Sequence, residues 1–171
     1  MIIVLVGFSA ITARWFIWPE QGMPSRVDAI VVLDGAGDRL GTALDLARQH
    51  RAPVIVISYH VERHHHVNGK GCAPQITEEF TGVKVICFIP RPATTRGEAE
   101  FAGRLARQYH WHSIVLVAIA PQDPVALLRA GRCFSGKIYV IDTPLPASEL
   151  PYMVAYYWGG ALQAFFLQRS C

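Results

Sequence analysis

The stretch VDAIVVLDGAGDRLGTALDLARQHRAPVIVIS, residues 27–58, decides the fold. Val27 to Leu33 is an apolar, β-branched run that ends at the turn residues Asp34, Gly35 and Gly37. Runs this continuous fit a strand buried on both faces. From Asp38 to His50 the apolar residues Leu40, Ala43, Leu44 and Ala47 recur at helical spacing. Pro53 to Ser58 is a second buried run. Residues 27–58 therefore predict β-α-β.

The pattern continues toward higher numbers. Val83 to Ile89 predicts a third strand, followed by PRPATTRGEAE. Thr94 or Thr95 can cap the next helix, with Glu98 completing a capping box from Thr95, and the helix runs to about Tyr109. Ile114 to Val117 predicts a fourth strand, Pro124 to Cys133 a helix and Lys137 to Ile141 a fifth strand. Pro151 to Leu167 is aromatic-rich and is expected to pack on the sheet as a final helix. Its aromatics, Tyr152, Tyr156, Tyr157, Trp158, Phe165 and Phe166, are expected first in the core and second at a membrane surface. Strands and helices alternating at this spacing predict an α/β fold with a doubly wound parallel sheet of about five strands. Ligands of such sheets bind beyond the carboxyl ends of the strands. That rule selects the loops Asp34–Asp38, Ser58–Cys72, Pro90–Glu98 and Ala118–Asp123.

In the other direction, residues 19–26 read as a short polar linker, and Met1 to Trp18 is apolar throughout except near Arg14. Eighteen helical residues span about 27 Å, roughly one hydrocarbon core. Arg14 can snorkel, and Trp15 and Trp18 suit an interfacial belt. A membrane anchor over residues 1–18 is the expectation. A signal peptide and a buried element of the domain are the alternatives. A signal peptide would lack the usual charged start and small-residue cleavage site. The charges near this segment lean slightly toward a cytoplasmic domain, whereas an anchor with four cysteines is compatible with an extracytoplasmic one. The expectation is an extracytoplasmic domain, with the cytoplasmic face as the alternative.

Composition supports one domain of residues 27–171 with a sizeable core. The 171 residues are 51% apolar, only 17% charged, and carry a net charge of +3. The 16 Lys and Arg residues form no basic run of five or more, which argues against nucleic acid as a partner. Cys72, Cys87, Cys133 and Cys171 contain no CxxC pair, which argues against a zinc ribbon. An oxidising compartment would pair them in one of three ways; a reducing one would leave them as small buried apolar residues.

The blocks VDAIVVLDGAGDRLGTALDLARQHRAPVIVIS, PRPATTRGEAEFAGRLARQYHWHSIVLV, RCFSGKIYVI and PYMVAYYWGGALQAFFLQRSC occur in this order. They resemble the DUF218 (YdcF/SanA/ElyC-like) family, and the last resembles its actinobacterial members. The resemblance spans about residues 27–171 and implies a Rossmann-like domain. In many members this domain follows an N-terminal membrane segment. The SanA/ElyC-like members are linked with envelope integrity and cell-wall precursor metabolism, the YdcF-like branch with S-adenosylmethionine; no reaction is established across the family. The sequence also departs from the family pattern. Asp34 stands where Gly is usual, and Ala118, Ile119, Val125 and Leu127 stand where polar or basic residues are common, while Gln122 and Arg129 survive. Losing basic groups weakens a phosphate or carboxylate clamp.

Four constellations carry potential chemistry. Asp34, Gly35, Gly37 and Asp38 open a helix where backbone N–H groups can hold an anion, against the simpler reading of an ordinary βα turn with Asp38 near the N-cap. Thr94, Thr95, Arg96 and Glu98 bring hydroxyls, a guanidinium and a carboxylate to one strand-to-helix junction. The Thr and Arg groups can bind an oxyanion, and Glu98 is the candidate general base, against a purely capping role for Thr95 and Glu98. Ser58 ends the second strand as polar lining, without the elbow of a nucleophilic serine. His60, His64, His65, His66 and Cys72 match no standard metal spacing and read foremost as a solvated loop; His110 and His112 read as surface residues.

These readings predict that Asp34, Gly35, Ser58, Thr94, Thr95, Arg96, Glu98, Gln122 and Arg129 line a crevice for a small anionic ligand. A nucleotide, S-adenosylmethionine or a phosphorylated lipid carrier are the candidates, with transferase or hydrolase chemistry. The alternatives are a non-catalytic envelope scaffold with a degenerate site, and metal binding by the His-rich loop.

Overall fold

The computed structural model describes residues 2–59 and 82–171. Its core is a five-stranded, all-parallel sheet: β1 (Ala29–Val32), β2 (Val54–Ser58), β3 (Lys84–Phe88), β4 (Ser113–Ala118) and β5 (Lys137–Asp142), in the order β3-β2-β1-β4-β5. This order is consistent with a Rossmann-like sheet, and it reverses direction between β1 and β4. The central strand β1 is buried along its whole length, as its uninterrupted AIVV requires.

The period-2 alternation of β1 sorts its side chains between two cores. Ala29, Val31 and Leu33 pack with Ala102, Leu105 and Ala106 of α3 (Thr95–Tyr109) and Ala126 and Ala130 of α4 (Asp123–Cys133). Ile30 and Val32 pack on the opposite face with Ala43 and Ala47 of α2 (Arg39–Arg48). Helices thus cover both faces. Small alanines on the helices let them approach the bulky strand residues, each of which contributes about 1.5–3 kcal/mol when buried. Asp38 is the N-cap of α2, its carboxylate accepting from the N–H of Gly41 at 2.9 Å. Asp28 clamps the start of β1 to β4: its Oδ2 accepts from the N–H groups of His112 (2.7 Å) and Ser113 (2.9 Å). Burial opposes its charge, but these bonds hold its carboxyl below the usual aspartate range.

The first residues depart from a single straight helix. α1 (Ile2–Thr12) passes into a π-helical turn (Ala13–Ile17), closed by the Trp18 N–H donating to the Ala13 carbonyl at 2.9 Å. The extra residue per turn changes the direction in which side chains point. Phe16 turns inward and is buried, whereas Ile2 to Ile11 are all exposed. Among the described residues no helix is long and apolar enough to cross a membrane. The 19–26 segment is more than a linker, because Gly22 bridges Val140 beside β5.

The last helix, α5 (Leu150–Phe166), corrects two expectations. It packs against α4 and the 3-10 turn Ala120–Gln122, above the carboxyl edge, rather than on a face of the sheet, which α3 and α4 already fill. Of its aromatics only Tyr157 is buried, with Ile119, Val125 and Phe16. Trp158 is half-buried and stacks on Phe8 (5.2 Å) and Phe16 (4.7 Å), while Tyr152, Tyr156, Phe165 and Phe166 are exposed. Position over an edge leaves such a helix only one narrow face to bury.

Candidate functional site

The carboxyl ends of β1 and β4 diverge at the point where the strand order reverses, and α5 walls the resulting gap. A cavity of about 420 Å³ lies there, lined by Asp34, Thr94, Thr95, Arg96, Glu98, Gln122 and Arg129 from the sheet side and by Tyr156, Tyr157, Gln163 and Gln168 from α5 and beyond. Seven of the nine residues predicted for the crevice thus meet in it. Ser58 does not line it but is buried behind Glu98, and Gly35 lies exposed in the loop over Arg39.

Glu98 stands in the first turn of α3 and is 2% exposed. The capping box does not form. Thr94 is the N-cap without a side-chain bond, and Glu98 Oε1 instead accepts from the N–H of Asp34 at 2.7 Å. Burial pushes the Glu98 carboxyl up; the Asp34 N–H, the nearby Ser58 hydroxyl and the Arg39 charge oppose this. Among the described residues no bond of regular geometry reaches Ser58 Oγ, so its influence on Glu98 is one of proximity. A carboxyl raised in this way holds its proton more readily than an ordinary glutamate, as groups that transfer protons often do. Gly97 makes the junction possible, because a Cβ there would collide with the Pro92 carbonyl oxygen.

Thr95 Oγ1 lies 3.2 Å from Gln122 Nε2, which donates to it; among the described residues Gln122 Oε1 has no partner. The opposite end of the cavity is cationic. Arg129 is 6% exposed; its Nη2 donates to Gln168 Oε1 at 2.7 Å, but among the described residues Nε and Nη1 have no partner. Burial lowers the Arg129 pKa, and the charges of Arg96 and Arg132 lower it further. Buried donors that lack acceptors in a field of like charge are what an oxyanion relieves. Arg96 is partly neutralised by Glu100, at 2.8 Å. Ala118 and Ile119 are fully buried at the end of β4 and Val125 packs with Tyr157, whereas Leu127 is exposed.

Sequence reasoning missed Arg39, Asp123, Asp142 and Gln168. Arg39 is 3% exposed and braces the first loop, its Nε donating to Ala36 O (2.7 Å) and its Nη1 to Leu33 O (3.1 Å) and Asp34 O (2.9 Å). Asp123 is buried and Asp142 half-buried, both near Arg39. Two neighbouring carboxylates resist carrying two charges there, which favours one proton on the pair. Burial first, and then the Asp142 charge, push Asp123 up to about 9, against the pull of Arg39. Asp142 also accepts from Gln21 Nε2 at 2.6 Å. The only available signal was an acid opening a helix next to Pro124.

Cys133 and Cys171 are joined by a disulfide, and Cys87 is also disulfide-bonded. Of the His-rich candidates, His60, His64, His65, His66 and Cys72 lie outside the described residues. Among the described residues no group of three or more His, Cys, Asp or Glu is placed to hold a metal ion. No family model, curated protein or solved structure matches this chain.

Proposed function

We propose that this chain binds a small oxyanion-bearing ligand in the crevice between β1 and β4, as a Rossmann-like, DUF218-like domain tethered to a membrane through residues 1–18. The observation that carries the reading is Arg129: a buried guanidinium with two nitrogens unpartnered among the described residues, lining a cavity at the reversal of strand order. Thr95 and Gln122 supply neutral donors and acceptors beside it. Glu98, at the other end, is placed to take a proton from a ligand hydroxyl or water, which is the chemistry of a transferase or hydrolase. A nucleotide, S-adenosylmethionine and a phosphorylated lipid carrier are the ligands to try.

The membrane reading draws on α1, whose Ile2, Ile3, Val4, Leu5 and Val6 are exposed large apolar side chains on one helix. The Cys133–Cys171 bond favours an extracytoplasmic domain, since such bonds persist in oxidising compartments.

Native mass spectrometry of the chain under non-reducing conditions, with a nucleotide, S-adenosylmethionine and a polyprenyl phosphate, tests the reading. The expected result is a stoichiometric adduct with one ligand class, weakened in Arg129→Ala and Thr95→Ala. A folded protein that takes up none of the panel would move the weight to a scaffold whose site has lost its ligand.

A further inference from the structure

Gln168 sits just beyond α5, and its side chain meets the one guanidinium on which the oxyanion reading rests. Its Oε1 accepts from Arg129 Nη2 at 2.7 Å, and the rest of Gln168 is held from two sides. Arg132 Nη1 donates to the carbonyls of Ala164 (2.8 Å) and Gln168 (2.7 Å), closing the carboxyl end of α5 as basic side chains do. Three residues further on, the disulfide fixes Cys171 to Cys133, the last residue of α4, the same helix that carries Arg129 and Arg132. The segment after α5 is therefore a strap closed on α4 at both ends, with Gln168 between the two fastenings.

We infer that Gln168 is a positioning and specificity residue of the crevice: strapped by Arg132 and the Cys133–Cys171 bond, it holds the Arg129 guanidinium so that Nε and Nη1 face an incoming oxyanion. The amide is the chemically apt group. It occupies one Arg129 nitrogen without cancelling the charge, whereas a carboxylate there would form an ion pair and remove the attraction for anions. A freed Arg129 would sample many rotamers, and ordering it again on binding costs affinity. The strap also lines the cavity through Gln168 and so limits the size of ligand admitted at this end.

The inference rests on the oxyanion reading, and one titration set separates the two. Inorganic phosphate and adenosine 5′-monophosphate are titrated into the wild-type chain and into Gln168→Ala, Gln168→Glu, Cys171→Ser and the Gln168→Ala/Cys171→Ser double variant. Cys171→Ser opens only this disulfide. Gln168→Ala and Cys171→Ser should each weaken binding about three- to tenfold, and the double variant no further, because both act through one contact. Gln168→Glu, which keeps the size and the hydrogen bond, should abolish binding; retention of affinity there would mean that Gln168 matters only as packing and would overturn the inference. Singles without effect, or effects that add in the double variant, would also overturn it while leaving the crevice reading in place. Absence of binding to the wild type would overturn both.

Discussion

The N–H of Asp34 donates to Glu98 Oε1 at 2.7 Å, tying the loop after β1 to the first turn of α3 across 64 positions of sequence. One contact thereby sets both the conformation of the first loop and the direction of the carboxyl group. Glu98→Gln preserves an acceptor for Asp34 and removes the charge. It should leave the folded structure unchanged and abolish any turnover that needs a base, while ligand affinity changes little. Parallel binding and turnover measurements with the ligand found by mass spectrometry check this; undiminished turnover would remove Glu98 from the chemistry.

Thr95 and Arg129 should differ in weight. Loss of a neutral hydroxyl contact in Thr95→Ala is expected to cost about 1 kcal/mol, or roughly fivefold in affinity. Loss of the guanidinium in Arg129→Ala removes a charge-assisted contact and should cost about 2 kcal/mol or more, roughly thirtyfold. Calorimetric titration would show the order; equal effects would mean the anion does not reach Arg129.

The Asp123–Asp142 pair makes stability depend on pH in a defined direction. The folded pKa of Asp123, about 9, lies above its ordinary 3.8, so the native state holds a proton that the unfolded chain has released. Its contribution is fully present below pH 4 and is lost as pH rises toward 9. Asp123→Asn mimics the protonated acid and should raise stability at pH 8 by on the order of 2 kcal/mol while changing little at pH 4. Denaturant unfolding at the two values checks this, and a gain that is the same at both would rule out proton sharing.

Asp28 has the opposite sign. Its folded pKa is lowered by the N–H groups of His112 and Ser113, so its contribution is present above the ordinary aspartate value and lost on acidification through the folded one. Asp28→Ala leaves both N–H groups without their acceptor and should cost about 2 kcal/mol at pH 7. The difference from wild type should shrink as the pH falls below the ordinary aspartate value, as followed by thermal melts.

Gly97→Ala should be among the most damaging single-methyl changes. The obstacle is the Pro92 backbone carbonyl, which cannot rotate away, so the turn or the helix must shift. A loss of about 2 kcal/mol or more is expected from overpacking of this kind, read as a drop in the denaturation midpoint. An unchanged midpoint would show that the 90s turn is pliant.

Much of this architecture is local in origin and so could be read along the chain. Uninterrupted β-branched runs such as Ala29–Val32 and Val54–Ser58 can satisfy their apolar surface only inside a parallel sheet, and helical spacing between them leaves one class of fold. Every strand and helix from Ala29 onward among the described residues lies within two residues of its expected bounds, because Pro, Gly and Asp mark the ends chemically. The strand-end rule pointed to Asp34, Thr94, Thr95, Arg96, Glu98 and Gln122, which line one cavity; Arg129, inside α4, was suggested by the resemblance alone and lines the same cavity. Partnership was decided elsewhere. Thr95 and Glu98 spell a capping box, yet Glu98 turns to Asp34 because burial rewards the acceptor that satisfies a distant N–H. Nothing near Gln168 in sequence points to Arg129, nothing near Asp123 to Asp142, and the aromatic spacing of α5 reads as core until α3 and α4 are seen to have filled that face. Periodicity is a property of neighbours along the chain. Hydrogen-bond partners, shared protons and the choice of buried face depend on which groups lie close after packing, and only the tertiary structure sets that.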